Sequence, residues 1–265
     1  MVGKFINFMG LAAAYVRLNL MAQLEYRAAF FSQAVAMFVN NSVWVAFWSL
    51  FFYRFPVLRG WDVHDVITLW AIAASGFGLA HSVFGNGLHL PVLIARGQLD
   101  AWMLYPRALL SHILLGRMSA TACGDAIFGY VVYVAFVHPD LPHFLLFTAL
   151  TFAVAILFVG FSVLSGSLAF YVGNSEGLSE QWRFALITFG TYPSTLFEGA
   201  VKLVLYTFIP AGFINYFPIE ALRHMSLADA GMALAGAVAV LCLGVAVFYH
   251  GLTRYESGSL MEMRG

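Results

Sequence analysis

Charge is what this 265-residue chain has least of: Asp, Glu, Lys and Arg make up 10% of it, and the formal net charge is zero. Soluble domains carry about 25% charged residues. No water-facing surface can be built from so few, and an integral membrane protein is expected. Lysine is confined to Lys4 and Lys202, and with no net charge there is no basic field to attract nucleic acid. Cysteine is limited to Cys123 and Cys242, both inside apolar runs, where small apolar side chains are expected rather than a disulfide or redox pair. A phosphate-cradling loop closes on Gly-Lys-Ser/Thr. Here the only Gly-Lys, Gly3-Lys4, is followed by Phe5, so ATP hydrolysis by that route is not expected. Nor is a cleaved signal peptide, since Val2–Leu24 carries Lys4 and Arg17 far apart and no cleavage-type site. The turn from His138 to His143 has no Cys or HExxH pattern beside it, so no metal site is expected.

What is abundant is apolar: 62% of the residues, with 26 Phe among them. Crossing a bilayer takes about 20 such residues in a helix. Six runs qualify: 28–53, 65–90, 109–137, 144–172, 200–217 and 227–250. The fold class is therefore all-α, with six transmembrane helices in a single domain. Before the first run, residues 4–25 place Phe5, Phe8, Met9, Ala12, Tyr15 and Val16 on one side and Lys4, Asn7 and Arg17 off it, the pattern of an amphipathic interface helix. Residues 173–183 are polar and read as a loop. The stretch 184–217 is broken by Pro193, Glu198, Lys202 and Pro210. It reads as a short surface or re-entrant helix to about Glu198, then the fifth span. With the amino terminus inside, the inner side holds Lys4, Arg17, Arg27, Arg96, Arg107, Arg183, Lys202, Arg254 and Arg264, and the outer side Arg54, Arg59 and Arg223. Nine against three favours both termini in the cytoplasm.

Few polar groups stand inside the runs, and each is costly there. Asp125, in mid-span, either bonds a neighbouring helix or lines a polar path. Arg117 can snorkel to the headgroups. Glu198 and Lys202, four apart, can neutralise each other. Ser162 and Ser165 lie near Gly160 and Gly166. An intramembrane serine hydrolase would need such a serine beside a histidine on another helix, but close helix packing accounts for small residues there.

One polar stretch interrupts the apolar runs in mid-chain: residues 93–107, LIARGQLDAWMLYPR. Arg96, Gly97, Gln98, Asp100, Pro106 and Arg107 are too polar for hydrocarbon, while Leu99, Trp102, Met103 and Leu104 keep it sticky. Such a segment lies on a membrane surface or in another protein's groove.

Three stretches carry a family resemblance. ARGQLDAWMLYP (Ala95–Pro106), YPSTLFEGAVKLVLYTFIPAGFINYFPIEAL (Tyr192–Leu222) and FYHGLTRYESGS (Phe248–Ser259) resemble, in this order, signatures of the type-2, export-type ABC transporter permeases. The subgroup is the six-span one once grouped as a domain of unknown function. Trp102 and Tyr105 depart mildly from the pattern. The resemblance implies a permease in the cytoplasmic (inner) membrane of a prokaryote, without catalytic residues or a cofactor of its own. It would be driven by two copies of an ABC ATPase that hold ATP and Mg, beside a second permease, identical or homologous. It further implies that 93–107 is the coupling helix to that ATPase. Arg96, Asp100 and Arg107 would make its polar contacts, Leu99, Trp102 and Leu104 its anchor, and Pro106 its end. The expected cargo is an amphipathic or hydrophobic compound, lipid or drug-like. An ATP-independent carrier or channel is the alternative, though it would need more mid-membrane charge than Asp125.

Overall fold

The computed structural model describes residues 2–106 and 108–255, with side chains from residue 9 onward. Arg107 and the tail from residue 256, including Arg264 and the end of the third signature, lie outside the described residues. Regular structure within them is helical, apart from one isolated bridge between Leu58 and Trp61.

The α-helices are α1 (Val2–Glu25), α2 (Arg27–Arg54), α3 (Val63–Phe84), α4 (Leu90–Ala95), α5 (Asp100–Met103), α6 (Leu109–Leu115), α7 (Ala120–Val132), α8 (Leu141–Gly166), α9 (Ala169–Val172), α10 (Glu176–Gly190), α11 (Gly199–Thr207), α12 (Gly212–Asn215), α13 (Phe217–His224) and α14 (Leu227–Leu252). Five helical stretches are long and apolar enough to span a bilayer: Arg27–Arg54, Val63–Ala95, Ala120–Val137, Leu141–Val172 and Leu227–Leu252. Their starts are written locally. Asp62 and Asp65 form a reciprocal capping box on α3, and Asp140 and Ser226 accept backbone N–H groups at the starts of α8 and α14.

Lipid offers helices no hydrophobic reason to associate, so close backbone approach must hold them together. Glycines provide it. A Cβ on Gly78 would stand 2.2 Å from the Ala126 nitrogen, and one on Gly129 2.3 Å from the Ala71 oxygen, where α3 crosses α7. Gly124 meets Ala34 of α2 in the same way, and Gly160 and Gly244 let α8 and α14 touch.

The turns sort into two ends. At one, Arg59 bonds the Thr195 carbonyl (3.0 Å) and the Glu198 carboxylate. There too Arg223 forks onto Asp65 through Nε (2.8 Å) and Nη2 (2.5 Å), its guanidinium 4.7 Å over Trp61. At the other end, the Leu99 N–H donates to the Tyr255 hydroxyl (3.1 Å) and Ser179 donates to the Ser165 carbonyl (2.7 Å). Asn19 of α1 bonds the Leu115 carbonyl at this same end (3.0 Å).

This sorting corrects the fifth span. The segment between Glu198 and Arg223 begins and ends at the Arg223 end, so it does not cross. It enters as α11, bends by 90° and leaves through α12 and α13. Pro210 and Gly212 interrupt the helix at the bend. The chain runs from one end to the other instead through α10, continued by residues 191–198. Fifteen helical residues rise about 22 Å, and the partly extended chain after them supplies the rest of the roughly 30 Å core. The polar residues 173–183 are thus largely helix and not loop. Glu176, Glu180 and Arg183 are spaced three and four apart, which puts them on one helical face. Lys202 moves with its segment towards the Arg223 end, 5.8 Å over the Tyr216 ring, while Glu198 pairs with Arg59.

Two further boundaries change. The third span starts at Ala120; α6 is a separate piece, and Arg117 sits in the link between them, closed by a bond from the Ser119 N–H to the His81 carbonyl (3.0 Å). Residues 93–107 are not one helix: α4 ends at Ala95, a turn follows, and α5 is a single turn of four residues.

Candidate functional site

The polar stretch between the second and third crossings is built from its base outward. α4 stops because Gly97 takes a positive φ of 65°, which lets the Gly97 and Gln98 N–H groups close back on Ile94 and Leu93 (3.1 and 2.9 Å). Leu99 is then completely buried, packed with Leu90, Ile94, Ile113, Leu114 and Phe248. Trp102 is half-buried. A Cβ on Gly116 would stand 2.4 Å from its indole, and its ring meets His112 edge-on at 5.0 Å. Tyr105 and Tyr15 of α1 also turn their rings to His112, at 5.0 and 5.5 Å.

Tyr255, just beyond α14, clamps this base. Its hydroxyl accepts from the Leu99 N–H and bonds the Asp100 carboxylate. Burial, and then the Asp100 carboxylate, push the phenol up to about 12. The tip is open: Met103, Leu104 and Tyr105 are 42%, 84% and 59% exposed.

Of the residues assigned to this segment from sequence, Leu99 and Trp102 therefore serve its seating in the fold, and Gly97 its turn. Leu104, Arg96, Gln98 and Pro106 face outward, and Asp100 is half-buried against Tyr255. Arg107 is outside the described residues. Met103, named only among the apolar residues of the segment, and Tyr105 were not assigned to the site from sequence, nor was Tyr255 at the base. A signal existed for the first two, being large apolar groups beside Leu104. Tyr255 lies 156 residues from its partner.

The second feature is a cavity of about 360 Å³ bounded by α2, α3, α7, α8, α10 and α12. Asp125 reaches it from α7, 4% exposed. Its Oδ1 accepts from Asn41 Nδ2 at 2.5 Å, and its Oδ2 has no partner among the described residues. Of the two readings left open by the sequence, the bond to a neighbouring helix is present; Asp125 also borders the cavity. Stacked Trp44 and Trp70 (5.4 Å, 17°), Phe77, Phe158 and Tyr192 give the wall an aromatic part, and Asn40, Thr188 and Thr191 a polar one.

Ser162 does meet a histidine on another helix: His81 Nε2 lies 3.1 Å from its hydroxyl. His81 Nδ1 faces the Phe77 carbonyl, so that nitrogen carries the proton and Ser162 donates to Nε2. Both side chains are 2% exposed or less and neither lines the cavity. The pair ties α3 to α8 where no substrate reaches it.

A family model described as an ABC-2 family transporter protein matches residues 38–259. No curated protein and no solved structure matches.

Proposed function

The chain belongs to the ABC-2 family of transporter proteins, a multi-pass membrane subunit that works with an ABC ATPase and is not itself catalytic, and from that premise we propose that it is the permease of an ATP-driven exporter. Its tip, Met103–Tyr105, is the contact for the ATPase. Two ATPase copies holding ATP and Mg drive it beside a second permease, identical or homologous. The cargo is an amphipathic or hydrophobic compound, lipid or drug-like, that passes the cavity at Asp125.

The observation that carries this reading is the contrast within one short segment. Its base is locked by Leu99, Trp102 and Tyr255, while three large apolar side chains stand exposed at its tip. A soluble partner needs such an anchor, and a rigid base converts the partner's closure into motion of the crossings on either side. Orientation is argued from charge. With Lys202 moved outward, Arg17, Arg27, Arg96, Arg117, Arg183 and Arg254 stand towards the Tyr255 end among the described residues, against Arg54, Arg59, Lys202 and Arg223 at the other, which favours the Tyr255 end in the cytoplasm of a prokaryotic inner membrane.

The test is co-purification from native membranes. An ABC ATPase should accompany the wild-type chain and be lost on Leu104→Asp, with the variant still folded. Retention of the ATPase by a folded Leu104→Asp chain would refute the contact.

A further inference from the structure

We propose that the cavity at Asp125 is a binding site for a hydrophobic organic cation, with the Asp125 carboxylate as counter-charge. This deepens the exporter reading, and rests on it for the ligand's role as cargo though not for its binding.

Three observations converge. The first is electrostatic. Among the described residues that line the cavity, Asp125 is the only charged one and none is basic. Arg183, adjacent along α10 to the lining residue Phe184, does not line the cavity; Glu180 and Glu176 of its own helix act on it, and its Nη1 has no hydrogen-bond partner among the described residues. An anionic headgroup would meet a lone carboxylate with nothing to balance it. A cation would neutralise the carboxylate where an isolated charge is most costly.

The second is hydrogen bonding. Asn41 satisfies Oδ1 and leaves Oδ2 unpartnered on a side chain that is 4% exposed. Among the described buried side-chain atoms without a hydrogen-bond partner, Oδ2 is the one carboxylate oxygen, and an unpaired buried carboxylate oxygen marks a place for a missing group. The site is also held in shape. Gly124 of α7 against Ala34 of α2, Gly129 of α7 against Ala71 and Ser75 of α3, and Gly78 of α3 against Ala126 of α7 lock α7 on both sides of Asp125.

The third is the wall. Trp44, Trp70, Phe77, Phe158 and Tyr192 present aromatic surface around one carboxylate. Ring faces attract cations, most strongly away from water, and an aromatic cage is the usual receptor for ammonium groups that cannot donate a hydrogen bond. A volume of about 360 Å³ falls within the range of small-molecule sites.

The test compares two ions of one shape and opposite charge, tetraphenylphosphonium and tetraphenylborate. Saturable binding is measured to the full-length protein in nanodiscs of zwitterionic lipid, against empty discs. The phosphonium is expected to bind saturably. Asp125→Asn, which keeps the shape and a hydrogen-bonding group, should weaken it about tenfold or more, the loss expected for one charged contact. Asp125→Glu should retain binding, and the borate should show none above empty discs. The proposal is overturned by absence of saturable phosphonium binding, by equal affinity in Asp125→Asn, or by saturable borate binding of equal strength. Co-purification of the ATPase, measured on the same preparations, is the separate readout for the exporter reading.

Discussion

Leu99 and Leu104 stand five residues apart in one segment and do opposite work. Leu99 is fully buried and Leu104 is 84% exposed. Leu99→Ala should leave a cavity and cost about 2–5 kcal/mol in unfolding. Leu104→Ala should stay within about 0.5 kcal/mol of wild type, yet weaken ATPase binding by about tenfold or more if it is the anchor. Denaturant unfolding of the purified chain and an affinity titration with the ATPase separate the two; equal effects of both substitutions on both measurements would contradict the division. Composition and spacing could mark this segment as sticky and polar at once. They could not say which apolar side chains the fold itself consumes, because that depends on α6 and α14 meeting there. Asp125 was legible for the opposite reason: a carboxylate inside an apolar run stands out without any knowledge of its neighbours. Asn41, its partner 84 positions earlier, did not stand out.

Among the elements, one phenol adds a hydrogen-bonded clamp where the end of α14 packs on the segment after α4. Tyr255→Phe removes the acceptor for the Leu99 N–H and the bond to Asp100, while leaving the ring against Phe170 (6.3 Å). Amide hydrogen exchange over residues 97–103 should accelerate in the variant. The pH dependence follows in sign. The Tyr255 pKa is raised, so the clamp is fully present below the ordinary tyrosine value near 10 and is lost as pH rises through about 12. Wild-type exchange should therefore loosen over that window beyond its intrinsic rate, and Tyr255→Phe should not; an identical pH profile in both chains would remove the clamp. Element type was readable wherever an apolar run was long and uninterrupted, as in α2, α8 and α14. It failed between residues 173 and 224. There charges at helical spacing resembled a loop, and a proline-broken apolar run resembled a crossing. Length and hydropathy do not record at which end a segment leaves.

At the scale of the whole molecule, five long apolar helices stand where apolar runs were read, and residues 176–198 rather than 200–217 run between the two ends before α14. The arrangement is checked by cysteine labelling in a background where Cys123 and Cys242 are replaced. Glu198→Cys and Ser226→Cys should react with an impermeant maleimide from one face of the membrane, and Ala101→Cys from the other. Labelling of Glu198→Cys and Ser226→Cys from opposite faces would restore 200–217 as a crossing. The membrane class, the long apolar helices and the place of the polar segment between the second and third of them were all open to sequence reasoning, because each rests on runs of local composition. The cavity was not, since its walls come from six helices spread along the chain.

The most direct measurement is site-specific photocross-linking from the tip. A benzophenone amino acid in place of Leu104, in the intact complex in native membranes, should yield an adduct with the mass of one ATPase subunit. The same probe in place of Leu234, exposed on α14, should yield none. An ATPase that stays bound to the complex but never forms the Leu104 adduct, or a Leu104 probe that reacts only with lipid, would contradict the claim that this tip is where the ATPase takes hold.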